Sequence, residues 1–189
     1  MRRILALAAA LALSLPAMGA QKPDPQLRAY LVRELAEKPA AVDLTGVTVW
    51  LADMSHRLRK RIPSEPARLE LLKHVYIEAH RAQMPPELVL AVIDVESNFN
   101  QYAVSRAGAR GYMQVMPFWL REIGRPNDNL FNLQTNLRMG IRILRYYRDM
   151  EEGSWARALA RYNGSLADER KGRGTYATAV LRALRARWS

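Results

Sequence analysis

The chain has 189 residues, with 29 Lys and Arg against 18 Asp and Glu, a formal net charge of +11 and no cysteine. That length suits one domain able to bury a sizeable core. The missing thiols exclude a disulfide framework and a lipid-modified cysteine behind a leader, so a fold must rest on its core, while the excess of positive charge favours a polyanionic partner by long-range attraction.

Met1-Arg2-Arg3, an apolar run over residues 4–15, Pro16 and small residues up to Ala20 have the layout of a secretory signal peptide, with cleavage expected near Gly19 or Ala20. The run falls short of the roughly 20 residues a spanning helix needs, so no stable membrane insertion is expected. An exported product has no nucleic acid to meet. Leu27, Leu31 and Leu35, spaced by four, predict an amphipathic helix over 24–38 stopped by Pro39. Residues 40–47 read as a linker. Helical spacing resumes over 49–62, where residues 56–61 form a solvated basic face.

Ser64 is the N-cap for a helix to about residue 83, with Pro66 in its first turn and Leu69, Leu72, Val75 and Tyr76 on one side. Pro85-Pro86 interrupts. The next helix, 87–97, is apolar without a break over 88–93 and therefore central. A further helix is expected over 113–123, interrupted at Pro117, before a turn at Gly124-Arg125-Pro126. Asn132 caps a long helix over 133–151 with Leu137, Ile141, Leu144 and Tyr147 or Arg148 at helical intervals, ended by Gly153. Ser154 caps a short helix over 155–162. A basic Gly-containing loop over 169–174 precedes a last helix over 175–188. There is no alternating strand pattern, so the fold class is mainly α, with a leader at 1–20, a helical extension at 21–63 and a main domain at 64–189.

The residue with the clearest chemical potential is Glu96, at the C-terminal end of the all-apolar helix. Apolar surroundings disfavour the charged carboxylate by desolvation, and the partial negative charge of a helix C-terminus disfavours it further. Both raise the pKa, the condition under which a glutamate can act as general acid near neutrality. Asp94 points to a different face and reads as structural. His56, His74 and His80 lack the i, i+4 spacing of a helical metal site, and no metal is expected. Neither a phosphate loop of the Gly-x-x-x-x-Gly-Lys type nor a Gly-x-Ser-x-Gly elbow is present.

After Glu96 the chain runs Ser-Asn-Phe-Asn-Gln-Tyr-Ala-Val-Ser-Arg-Ala-Gly-Ala-Arg-Gly-Tyr-Met-Gln-Val-Met-Pro, delivering the carboxylate into a Gly-rich polar loop. This stretch resembles the signature of the soluble lytic transglycosylase catalytic domain, a lysozyme-like family with Glu-Ser, an aromatic, Ala-Val-Ser, Gly-Ala, Gly-Leu-Met-Gln and Met-Pro in that order. The resemblance extends over roughly residues 70–185 and implies a lysozyme-like transglycosylase domain carrying extra N-terminal helices. It also implies peptidoglycan glycan strands as substrate, a polymer whose peptide carboxylates suit a basic protein.

By that resemblance Glu96 is the single catalytic acid and base. It protonates the oxygen between N-acetylmuramic acid and N-acetylglucosamine, then takes the proton of the muramic acid 6-hydroxyl as that oxygen closes a 1,6-anhydro ring. No cofactor is required. Ser105, Gln114 and Met116 fall on substrate-lining positions. Ala160-Arg161-Tyr162-Asn163-Gly164 resembles the family's Ala-Tyr-Asn-Ala-Gly segment, which makes Tyr162 the hydroxyl that orients the glutamate and gives Asn163 a part in holding loop or sugar. Thr175-Tyr176 and Val180 echo the Thr-x-x-Tyr-Val-x-x-Val end of the domain with altered spacing.

The departures are Tyr112 for the usual leucine, Phe118-Trp119 for a small residue and threonine, Arg161 for alanine, and Gly172-Arg173-Gly174 where a glutamate is common. Tyr112 is expected at the site edge and Phe118 in the core. Two other readings fit the same residues: a muramidase that uses water in place of the 6-hydroxyl, and a non-catalytic peptidoglycan-binding protein. The expected location is the periplasm, where wall turnover or local opening for a secretion apparatus would both suit such an enzyme.

Overall fold

The structure is a computed structural model that describes residues 24–36, 47–124, 128–172 and 175–189. The leader, the linker up to residue 46, Arg125-Pro126 and Arg173-Gly174 lie outside the described residues. Among the described residues the chain is helical, with no strand and only two isolated bridges, Val104 with Arg110 and Arg110 with Val115.

Helix α1 (Pro25–Ala36) buries Leu27, Leu31 and Leu35, the residues its spacing marks, and packs on α5 and α6, described below. Helix α2 (Thr48–Leu58) buries Met54, Ser55 and Leu58 against α3 (Glu65–Arg81). Ser64 caps α3, its hydroxyl accepting from the Ala67 amide at 3.5 Å. The buried face of α3 is Leu71, Leu72, Val75, Glu78 and Ala79. Leu72 and Val75 follow the expectation, whereas Leu69 and Tyr76 are only half-buried.

Helix α4 (Pro86–Ser97) buries every side chain from residue 88 to 93, as its unbroken apolar run requires, and Asp94 beyond it. It packs between α3 and the C-terminal helix, and the buried leucines on it are each worth about 1.5–3 kcal/mol of transfer from water. Asn98 caps it in the left-handed region at φ 48°.

The helix expected over 113–123 is only α5 (Phe118–Ile123). Residues 111–116 instead form a tight loop: Arg110 and Val115 exchange backbone hydrogen bonds at 3.0 Å, and Gln114 closes the turn at φ 50°. A positive φ inside that bridge is incompatible with a helix running through Met113.

Asn132 caps α6 (Leu133–Met150), its side chain accepting from the Thr135 amide at 3.0 Å. Buried Glu78 of α3 is paired there with Arg142 at 2.9 Å, as well as with Arg81 at 2.9 Å. Ser154 caps α7 (Trp155–Asn163), which ends on left-handed Gly164. A short α8 (Leu166–Arg170) occupies the start of what reads as a basic loop. The last helix divides into α9 (Thr175–Ala183) and a π-helical turn, Leu184–Trp188. Leu27 and Leu31 of α1 and Met54 and Leu58 of α2 belong to the same core as Leu88–Ile93, so the N-terminal helices share the core with the rest.

Candidate active site

Glu96 lies on the last turn of α4, half-buried. Tyr176 of α9 donates its hydroxyl to Glu96 Oε1 at 2.6 Å. Among the described residues no cation pairs with this carboxylate. Burial therefore dominates and pushes its pKa from 4.5 up to about 7, with the tyrosine hydrogen bond pulling the other way. Near neutrality the group holds a proton part of the time and accepts one the rest.

The tyrosine that reaches Glu96 is not the one expected. Tyr162 is buried on α7 and donates instead to the Met113 carbonyl at 2.7 Å. It remains a neighbour of the glutamate: burial first, then the Glu96 charge, drive its phenol well above 10. Burial and Glu96 raise Tyr176 in the same way, so both phenols stay neutral donors. Helix α9 packs on both α4 and α7, a crossing that brings Tyr176 over the carboxylate.

The Gly-rich loop is fastened to the helices from below. The Ser97 hydroxyl donates to the Tyr112 carbonyl at 2.8 Å, with the Ile93 carbonyl at 3.1 Å. Asn136 of α6, 1% exposed, uses its whole amide on the loop. Oδ1 accepts from the Met113 amide at 2.8 Å, and Nδ2 donates to the carbonyls of Arg110 at 2.8 Å and Leu130 at 2.9 Å. Gly111, at φ 78°, lies so close to Asn136 Nδ2 and the Leu130 carbonyl that a Cβ there would overlap both. Gly140 plays the same part on α6, where a Cβ would sit 2.7 Å from Met113 Sδ. An amide fully bonded out of water is a rigid fixture, because every partner it gives up would be left unpaired.

The remaining expected residues surround this fixture. Gln114 is buried, and its amide nitrogen donates to the carbonyls of Ala103 at 3.2 Å and Gly111 at 2.9 Å. The Ser105 hydroxyl accepts from the Ala109 amide at 3.0 Å and is half-buried. Met116 is half-buried against the core, and Asn163 is buried at the end of α7. Tyr112 is 8% exposed, closer to core than to edge, and Phe118 is half-buried with Trp119 beneath it. Arg161 pairs with buried Glu151, whose pKa burial would raise but which hydrogen bonds and charge from Arg161 and Arg157 bring down overall.

Asp94, two residues back, has a different environment. Arg61 NH2 lies 3.1 Å from its Oδ1, Arg187 Nε 2.7 Å from its Oδ2, and the Trp188 indole donates to Oδ2 at 3.1 Å.

A family model described as the Transglycosylase SLT domain matches residues 75–180. The chain belongs to the transglycosylase SLT domain family. This SLT segment begins inside α3 and ends inside α9, enclosing Glu96, its loop, Asn136, Tyr162 and Tyr176. Membrane-bound lytic murein transglycosylase C of Glaesserella parasuis is 44% identical over 71 residues, covering 33% of this chain and 20% of that protein. The protein of the same name from Histophilus somni is 38% identical over 80 residues, covering 38% of this chain and 22% of that protein. The aligned part thus spans about a fifth of these relatives' length. The X-ray structure of an inactive mutant of lytic transglycosylase Slt from Pseudomonas aeruginosa superposes with a TM-score of 0.52 at 22% identity, over 59% of this chain and 23% of that one. It shares the mainly α, lysozyme-like fold.

Three residues that the structure brings to this SLT site receive no role from the sequence: Tyr176, Ser97 and Asn136. Each left a signal. Ser97 is the serine of the Glu-Ser pair. Tyr176 stands in the Thr-Tyr echo of the domain's end, and Asn136, with Gly140 one turn on, is a poor helix former on the otherwise apolar face of α6.

Proposed function

We propose that this chain is a peptidoglycan lytic transglycosylase that cleaves the β-1,4 bond from N-acetylmuramic acid to N-acetylglucosamine, with Glu96 as its acid and then its base. The observation that carries this reading is a glutamate at the end of a buried helix, held by one phenol and, among the described residues, matched by no cation. In the first step the Glu96 carboxyl gives its proton to the glycosidic oxygen as the bond from that oxygen to the anomeric carbon breaks. In the second step the Glu96 carboxylate takes the proton of the muramic acid 6-hydroxyl while that oxygen bonds to the anomeric carbon. One bond breaks, one forms, and no water is consumed.

Tyr176 fixes Oε1 through its hydrogen bond, which leaves Oε2 for the sugar. A nucleophile already attached to the reacting ring has an effective concentration of order 10⁵ M when aligned, enough to outcompete solvent. Ser105, Gln114 and Met116 line the sugar subsites in this reading. Tyr162, through Met113, and Asn163 hold the loop that presents them. The names of the SLT relatives support a murein substrate, and the leader-like residues 1–20 support an exported, periplasmic enzyme. Its catalytic domain spans 64–189, with 21–63 as a helical extension.

Mass spectrometry of the soluble products from purified peptidoglycan, run beside Glu96→Gln, tests this. The expected result is 1,6-anhydromuramoyl ends that vanish in the variant. Hydrated reducing ends would make the protein a muramidase, and intact peptidoglycan with both proteins would leave only a binding role.

A further inference from the structure

We propose that Arg61, beyond the end of α2 and outside the SLT segment, is a positioning residue for Glu96. The proposal rests on the catalytic reading of Glu96 given above.

One guanidinium grips the end of α4 on both sides of the glutamate. Its NH2 pairs with Asp94 Oδ1 at 3.1 Å and its Nε donates to Asn98 Oδ1 at 3.1 Å. Those two positions are two residues before and two after Glu96. Asn98 and Phe99 both occupy the left-handed region, at φ 48° and 62°. Asparagine tolerates that region, but a bulky residue does so only when its surroundings hold it there.

The holding is visible. The Phe99 ring is buried against the Trp188 ring at 5.4 Å between centroids, and the Arg61 guanidinium lies 5.6 Å from the first ring and 5.8 Å from the second. Arg57, one turn earlier on α2, donates to the carbonyls of Arg187 and Ser189 at 3.0 Å each, so α2 also secures the π-helical turn that carries Trp188. Arg61 makes no hydrogen bond or ion pair with Glu96 itself. It fixes the sharp turn by which the chain leaves the catalytic helix, and with it the direction of the last helical side chains.

An arginine that only stabilised the fold would give a different experimental result. Asp94 keeps Arg187 and Trp188 when Arg61 is removed, so Arg61→Ala does not strand a buried charge and should fold. Against purified peptidoglycan, kcat should fall about tenfold to a hundredfold, the scale of a small misplacement of a reacting group, with KM within about twofold of wild type. Arg61→Lys restores a charge near Asp94 but not the planar fork or the ring stacking, so it should recover only part of the loss.

A second readout does not depend on turnover. In carbon-13 NMR the Glu96 titration midpoint should fall by roughly one pH unit in Arg61→Ala, as a loosened turn admits water. The groups facing Glu96 are Tyr176 from α9 and Tyr162 from α7, both neutral through that range, and paired Asp94 on its own helix. A lower melting temperature with kcat and the titration unchanged would overturn the proposal. If wild type and Glu96→Gln both leave peptidoglycan intact, the catalytic reading fails, and the titration alone decides whether Arg61 positions the carboxyl.

Discussion

Asp94 and Glu96 stand two residues apart on one helix, and the protein treats them in opposite ways. Asp94, 8% exposed, has two guanidinium groups and an indole for its two oxygens. Glu96 has one phenol and, among the described residues, no cation. A buried anion with matched charge is a fastening, which here ties α4 to the segment that follows α2 and to the C-terminal turn. A buried carboxyl without matched charge is instead driven toward its neutral form, and the driving force is desolvation rather than any special partner. Proximity in sequence therefore says little about role. The supply of counter-charge separates the two.

That contrast is most exposed by neutral amide substitutions at the two positions. Glu96→Gln should lower peptidoglycan turnover by about 10³-fold or more, measured as released soluble fragments, while the folded protein persists. Asp94→Asn should do the reverse. It leaves Arg61 and Arg187 facing an uncharged group and should cost about 3 kcal/mol in urea unfolding, while the folded fraction retains far more turnover than Glu96→Gln. Equal losses of activity with equal stability would erase the distinction.

Stability against pH sharpens it. The folded midpoint of Glu96, about 7, lies above its ordinary 4.5, so its contribution is fully present below 4.5 and is lost as pH rises through 7. Above pH 7 wild type should be less stable than Glu96→Gln by on the order of 3 kcal/mol, and the gap should close toward pH 4 in paired urea titrations. The rate should decline through the same upper midpoint, because the first step needs the proton in place.

The smallest effect tests the phenol. Tyr176→Phe removes the one bond that lowers the Glu96 midpoint, so the alkaline limb of the pH–rate profile should move to higher pH. Stability should fall by about 1 kcal/mol. A limb that moves to lower pH would mean that Tyr176 is not the donor.

Legibility in the sequence followed the range of the interactions. The apolar run of α4, the leucine spacing of α1 and the caps Ser64, Asn132 and Ser154 act within a turn or two, and each appears where its local chemistry puts it. The stretch 113–117 misled because its composition suits a helix, whereas the bridge from Arg110 to Val115 and the Asn136 amide, 23 residues further along the chain, bend it into a loop. Tyr162 and Tyr176 show the same limit at the site. Both phenols are buried near Glu96, and which one reaches it depends on how α7 and α9 cross behind α4, a quantity that no local pattern encodes. The position of Glu96 was legible because it depends only on the end of one helix. The clamp on neighbouring Asp94, built by Arg61, Arg187 and Trp188, was not, because those residues come from outside the recognisable segment.

The most direct measurement is a carbon-13 NMR titration of the Glu96 side-chain carboxyl in the folded protein, with Glu96→Gln used to assign its resonance. A midpoint near 7 would show that burial without counter-charge keeps a proton available at the pH of the reaction. A midpoint at the ordinary 4.5 would mean that water or an unrecognised cation reaches the carboxylate, and would contradict its assignment as the acid.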